Sequence, residues 1–260
     1  MVSYAAFGRM VLRDVEISIL FFEVLSMKRD NWVGFVPFYL LVAILSIAIA
    51  KGGSDAISAI SDHQVVVREH CIVIDAGHGG IDGGATSCTG VLESHINLEI
   101  ALRLNDMMHL LGYDTVMIRT TDTSIHTGGN SIAAQKLSDL RERVRIASET
   151  EGALLISLHQ NTYHDSKFSG AQVFYSANPD SKQLAILLQQ SLISTVNPGS
   201  NRKAKKAEGI YLMQHTICPA VLVECGFLTN PQEEANLRSA EYQKRLCSVI
   251  STCLSNFLKR

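Results

Sequence analysis

The stretch "IVIDAGHGGIDGGA", Ile72 to Ala85, sets five glycines around one histidine directly after a short apolar run. Cys71 to Ile74 reads as a strand, and the glycines mark a tightly bent loop at its carboxyl end. No apolar helix begins inside the loop, which excludes a dinucleotide fingerprint, and no Gly-Lys-Ser/Thr ending is present, which excludes a phosphate-binding Walker loop. The glycines therefore shape the surroundings of His78, and the histidine is the functional atom source.

Outward from this loop, apolar runs of strand length alternate with segments of helical period. Strands are predicted over Cys71–Ile74, Thr115–Arg119, Ala153–Leu158, Ala171–Tyr175 and Ala220–Val223. Helices are predicted over Ile96–Leu111, Ser138–Glu149, Ser181–Thr195 and about Glu241–Leu258. Gly112 sits where a left-handed helix cap is wanted, and Asn230-Pro231-Gln232-Glu233 supplies a capping residue, a proline for the first helical position and an acid for the first turn. This alternation predicts an α/β fold: a single open, mostly parallel sheet with helices on both faces, preceded by an N-terminal hydrophobic helix.

That hydrophobic helix is "NWVGFVPFYLLVAILSIAIA", residues 31–50, which is uncharged and long enough to span a bilayer. Lys28 and Arg29 precede it, so the following domain is expected on the far side of the membrane. Ala48-Ile49-Ala50 resembles a signal cleavage site, which leaves both a transmembrane anchor and a signal peptide open. Residues 1–30 are then a cytoplasmic segment or a misplaced start, because Met27 before Lys28 and Arg29 makes an ordinary beginning for an export signal. Residues 51–69 are small and polar and read as a linker, and 70–260 form the folded domain.

With 260 residues, 47% of them hydrophobic, and a formal net charge of −2, the chain has ample material for a core and no basic face for nucleic acid. The basic run "NRKAKK", Asn201 to Lys206, reads as a solvated surface. The six cysteines include no CxxC pair, so a thiolate zinc ribbon has no support, and most are expected to be free and buried.

Three strands end in a residue that can carry chemistry, and in parallel sheets ligands gather beyond these ends. His78 follows the first, His159 follows Leu158, and Glu224 follows Val223. A catalytic zinc ion takes three protein ligands and keeps a fourth position for water. His78, His159 and one carboxylate meet that need. Glu93 is favoured as the third ligand because the helix after the His78 loop can fold it back to the same edge. Asp75, Asp82 and Glu99 compete, with Asp75 read as an acceptor that orients a histidine or the loop. An acid at the end of an apolar strand is costly unless compensated, which marks Glu224.

These segments, "IVIDAGHGGIDGGA", Glu93 with Asn97-Leu98, "ISLHQN" at Ile156–Asn161 and "PAVLVECGFLTNPQE" at Pro219–Glu233, resemble the zinc-dependent N-acetylmuramoyl-L-alanine amidases of the amidase-3 type. The resemblance runs from about Cys71 to the C-terminus. It implies one zinc ion held by His78, Glu93 and His159, a catalytic role for Glu224, and near-site hydrogen bonding by Asn161. It further implies a peptidoglycan substrate, cut between the lactyl group of N-acetylmuramic acid and L-alanine, an extracytoplasmic location, and an activator protein as a partner to be tested.

Ala76, Ser94, Gln160 and Ser148 depart from the usual family pattern without replacing a ligand. The compact domain is most similar to the spore-cortex members, whose action precedes muramic-δ-lactam formation. Two rival readings are a cysteine amidohydrolase using Cys225 and a wall-binding module without catalysis.

Overall fold

In the computed structural model, residues 70–259 are described. The predicted segments at 1–30, 31–50 and 51–69 lie outside them. Among the described residues no helix is long and apolar enough to cross a membrane.

Six strands form one sheet in the order β2-β1-β3-β6-β4-β5. They are β1 (Cys71–Ala76), β2 (Asp114–Met117), β3 (Ala153–Asn161), β4 (Gln172–Tyr175), β5 (Lys205–Lys206) and β6 (Ala220–Phe227). Every neighbouring pair is parallel except β4 with β6, which is antiparallel, so the sheet is mostly parallel with a reversed edge. The helices are α1 (Glu93–Leu110), α2 (Ile132–Glu149), α3 (Pro179–Thr195), α4 (Tyr211–His215), α5 (Pro231–Leu237) and α6 (Ala240–Leu258).

Alternation along the strands feeds two cores. Ile72, Ile74, Leu154, Ile156 and Val221 pack with Ile100, Leu104, Leu188 and Leu246 of α1, α3 and α6. Val73, Leu155, Ala220 and Leu222 face the opposite way and pack with Ala147, Leu212 and Met213 of α2 and α4. Both faces are covered, as parallel strands require.

The starts of the helices differ most from the sequence expectation. α1 begins three residues earlier than Ile96, because the Gly-rich loop supplies its first acceptors: Glu93 N–H donates to Ala85 O at 2.8 Å and Ser94 N–H to Gly83 O at 3.1 Å. A helix's first amides have no intrahelical partner, so these carbonyls act as the cap. α2 begins at Ile132 rather than Ser138, capped by Ser131, whose Oγ accepts from Ala134 N–H at 3.2 Å. Asn230 caps α5 as predicted, its Oδ1 accepting from Gln232 and Glu233 N–H.

β3 and β6 extend beyond their apolar runs, to Asn161 and Phe227. Consequently His159 and Glu224 lie inside paired strands, directly opposite each other. β5 and α4 were not expected, since one is a polar pair of lysines and the other a single short helix.

Candidate metal centre

β1 and β3 are neighbours at the centre of the sheet, and the chain leaves β1 toward β2 on one side before returning to β3 on the other. Such a reversal opens a crevice at the carboxyl ends of the strands. His78 sits just past the end of β1 and His159 near the end of β3. Glu93, the first residue of α1, points its carboxylate between them: Oε2 is 3.3 Å from His78 Nε2 and Oε1 is 3.2 Å from His159 Nδ1. The three ligand atoms all lie within 4.8 Å of one another. Donors ~2.0–2.1 Å from a tetrahedral ion are separated by ~3.3 Å, so this trio fits one divalent ion of the zinc type.

The loop is built to admit these side chains. A Cβ on Gly77 would lie 2.3 Å from His159 Nε2, and one on Gly84 would lie 2.7 Å from both Glu93 Oε2 and His78 Cδ2. His78 itself has φ +60, a left-handed conformation that a side-chain-bearing residue rarely adopts. Two buried arginines hold it there. Arg143 of α2 donates to His78 O at 2.7 Å and to Ala76 O at 3.0 Å, while Arg119 donates to Ala76 O at 2.8 Å and to Gly77 O at 3.0 Å.

Asp75 completes this clamp. It is 1% exposed and pairs with Arg143 on one oxygen, while the other accepts from Ser157 Oγ at 2.6 Å. Burial alone would raise its carboxyl, yet Arg143 holds it below the usual carboxylate value. Asp75 thus touches the loop through Arg143, and the acid that meets a histidine ring is Asp82, whose Oδ2 is 2.9 Å from His78 Nδ1. Lys136 Nζ lies 2.8 Å from the other Asp82 oxygen.

Burial opposes a charge on His78, but Glu93 and Asp82 outweigh it and push the imidazole up to about 9. Burial likewise opposes ionisation of Glu93, and the two histidines hold that carboxyl far below its usual range. A site this favourable to positive charge suits a cation.

Asn97 Nδ2 donates to Gly77 O at 3.1 Å and Glu93 Oε1 at 3.2 Å, and Gln160 N–H donates to Glu93 Oε1 at 3.1 Å. Asn161 enters no side-chain hydrogen bond among the described residues; its carbonyl accepts from Leu228 N–H at 2.8 Å. Within the network around Glu93, the Gln160 side chain donates from Nε2 to Asn97 Oδ1 at 3.1 Å. Glu99 bonds to Gln243 instead of joining the ligand trio.

Glu224 stands one strand beyond His159, and its Oε2 is buried with no hydrogen-bond partner among the described residues. Burial, reinforced by Glu93 and opposed by His159 and His78, pushes the carboxyl up to about 7. Cys225 next to it is fully buried, and burial pushes its thiol well up, so it presents no thiolate to a substrate. A cavity of about 270 Å³ opens over His78 and His159, walled by Tyr211, Leu222, Leu140 and Lys136. Arg119 and Arg143 escaped the sequence reading, since an arginine closing a strand at Arg119 and one in "RVRIAS" at Arg143 both look solvent-facing until the fold buries them.

The comparisons with known proteins concern the whole domain that carries this arrangement. The family model for N-acetylmuramoyl-L-alanine amidases matches residues 72–256. A germination-specific N-acetylmuramoyl-L-alanine amidase of Bacillus subtilis is 38% identical over 181 residues, covering 69% of this chain and 76% of that protein. The CwlD amidase of Clostridioides difficile, solved in complex with the GerS lipoprotein, superposes with a TM-score of 0.70 at 34% identity, over 73% of this chain and 98% of that one. A further N-acetylmuramoyl-L-alanine amidase, from Clostridium difficile 630, gives a TM-score of 0.65 at 28% identity, over 74% and 98%. The family model spans most of the described residues, and the chain belongs to the amidase-3 family of N-acetylmuramoyl-L-alanine amidases.

Proposed function

We propose that the chain cuts peptidoglycan at the amide between the lactyl group of N-acetylmuramic acid and L-alanine, with one zinc ion on His78, Glu93 and His159 and with Glu224 as the catalytic acid and base. The observation that carries this reading is the pairing of His159 with Glu224 across β3 and β6, with the Glu224 Oε2 buried and unbonded among the described residues. A buried carboxylate oxygen without a partner is expensive, and a reacting water or amine is the partner it lacks. When bound, zinc lowers the pKa of water to ~7 and polarises a carbonyl oxygen.

The chain's own groups do the rest. Glu224 takes the proton of the attacking water at Oε2 and returns it to the departing L-alanine nitrogen. A carboxyl raised to about 7 suits both transfers near neutrality, and a positioned group of this kind contributes ~10²–10⁴-fold. Asp82 fixes the ring of His78, and Asn97 and Gln160 fix Glu93. Asp75 acts through Arg143 to hold the backbone of the His78 turn.

The germination-specific relative supports a place in spore-cortex maturation, where removal of the peptide precedes muramic-δ-lactam formation. The substrate lies outside the cell membrane, so residues 31–50 serve export, as anchor or signal, and residues 70–260 carry catalysis. The complex of CwlD with the GerS lipoprotein supports a protein partner for this chain, and we assign that partner the role of activator.

The test is metal analysis together with digestion of purified peptidoglycan by the wild type and Glu224→Ala. Zinc in both proteins and peptide release by the wild type alone is the expected outcome. Equal release by the two overturns the role of Glu224, and a wild type without metal overturns the ligand assignment.

A further inference from the structure

A second concavity lies at the same sheet edge as the metal centre. β4 is antiparallel to β6, so the beginning of β4 meets the carboxyl end of β6. A cleft of about 890 Å³ opens there, and its wall carries Lys167, Arg202, Lys203 and Lys205. Lys167 is balanced by Asp165 at 2.8 Å, whereas Lys203 and Lys205 face no carboxylate partner among the described residues. The basic run that reads as a solvated face in the sequence therefore contributes to a concave surface with excess positive charge.

The cleft has a constructed floor. Glu233 of α5, 7% exposed, accepts from Gly170 N–H and Phe227 N–H at 2.8 Å each and ties the start of β4 to the end of β6. Arg202 donates from Nε to Ser169 O at 2.8 Å and lies 4.7 Å over the Phe227 ring. A Cβ on Gly170, whose φ is +91, would come within 3.1 Å of Ser200 Oγ, so the two loops bounding the cleft close tightly on each other. An arginine fixed in this way loses little freedom when it binds an anion.

Register gives the distance from the chemistry. Gln172, on the cleft wall, pairs with Glu224, and Glu224 pairs with His159. Two strand spacings are ~10 Å, and an extended chain covers that in about three residues at ~3.3–3.6 Å each. A peptide whose first amide lies at His159 and whose body runs along the sheet edge reaches the cleft with its second to fourth residues. We infer that this cleft binds a free carboxylate of the stem peptide two to four residues beyond the scissile amide, through Arg202, Lys203 and Lys205. The inference rests on the amidase reading for the placement of that amide, and it makes the cleft the determinant that separates acidic from amidated stems.

The experiment uses the full chain and one stem peptide in two forms, with its side carboxylates free and with them amidated. Calorimetric titration measures binding of the peptides, and hydrolysis is followed with the same two peptides carried on N-acetylmuramic acid. Amidation is expected to weaken binding and raise KM by about tenfold with kcat kept, the scale of one charge-assisted contact. The triple variant R202Q/K203A/K205A is expected to treat both forms alike. Equal binding of the two forms by the wild type overturns the inference. So does discrimination that survives in R202Q/K203A/K205A, a result that would place its source outside the cleft. Discrimination in binding without hydrolysis of either substrate keeps the cleft assignment and overturns the amidase reading alone.

Discussion

Gly77 lies flat against the imidazole of His159, so close that a methyl group at position 77 would stand 2.3 Å from both Cε1 and Nε2 of the ring. One residue before the first metal-site histidine, the chain thus gives up its side chain to make room for the second. Gly77 does not have the positive φ that restricts several other glycines of the loop, so alanine there is a question of space.

Gly77→Ala is therefore expected to fold and to lose its metal. The ring of His159 must turn away, and a loss of ~10–100-fold in zinc affinity follows, as for a disturbed supporting residue. Gly128→Ala, where a Cβ meets nothing within 4 Å, should leave both stability and metal content unchanged. Metal analysis of the two purified variants after dialysis checks the contrast, and full occupancy in Gly77→Ala would contradict it.

Asp82 makes the next prediction. Its Oδ2 lies 2.9 Å from His78 Nδ1, on the side of the ring away from Glu93. A carboxylate in this position selects the tautomer that leaves Nε2 free to bind a metal. Asp82→Asn should weaken zinc binding ~10–100-fold with the melting temperature of the metal-free protein little changed. Competition with a fluorescent chelator measures the affinity. Excess zinc should restore peptide release, which distinguishes a positioning defect from loss of a chemical group.

Acid stability follows from the Asp75–Arg143 pair. The carboxyl of Asp75 is held below its unfolded value of ~3.9, so its contribution is fully present above that value and is lost as pH falls through the lower, folded one. Asp75→Asn removes this pH-linked contribution. At pH 7 the variant should lose ~1–3 kcal/mol, because Arg143, with 3% of its side chain exposed, loses one of two carboxylate partners and keeps Asp139 at 2.6 Å. Between pH 5 and pH 2 the variant's stability should fall less steeply than that of the wild type. Urea titrations across this range provide the measurement, and parallel curves would show that the pair does not titrate with folding.

How much of this was legible beforehand depended on whether a residue acts near its own strand. The order of strands and helices followed from apolar runs, and His78, His159 and Glu224 were visible because each follows such a run. Glu93 was legible because only a short loop separates it from His78. The clamp on the loop was not, since Arg119 and Arg143 reach the Ala76–His78 carbonyls from elements more than forty residues away. Asp75 and Asp82 both lie in the stretch Ile72–Ala85, and spacing alone could not say which would meet the ring. The structure separates them by sheet register: Asp75 is inside β1 opposite Ser157, while Asp82 lies beyond the turn closed by Gly79. The edge strand β5 was hidden for a related reason, as it is two exposed lysines with no apolar pattern.

The cysteine reading yields a last prediction, because it places the nucleophile one residue from Glu224. Side chains alternate along a strand, so Glu224 and Cys225 face opposite sides of β6, and only the former can share a site with His159. Cys225 is 0% exposed in the core shared by α1, α3 and α6, and its Sγ lies 3.7 Å from Val223 O. Cys225→Ala should cost ~1 kcal/mol for the small cavity it opens and leave peptide release within about twofold of the wild type. Iodoacetamide should leave the native enzyme active, since a thiol in the core has neither access nor a depressed pKa, while a zinc chelator should abolish activity. Assaying the two reagents side by side on one preparation decides the matter: loss of activity to the alkylating agent with resistance to the chelator would move the chemistry from the His-Glu-His trio to the thiol, and the restored activity of a chelated sample after added zinc would fix it at the trio.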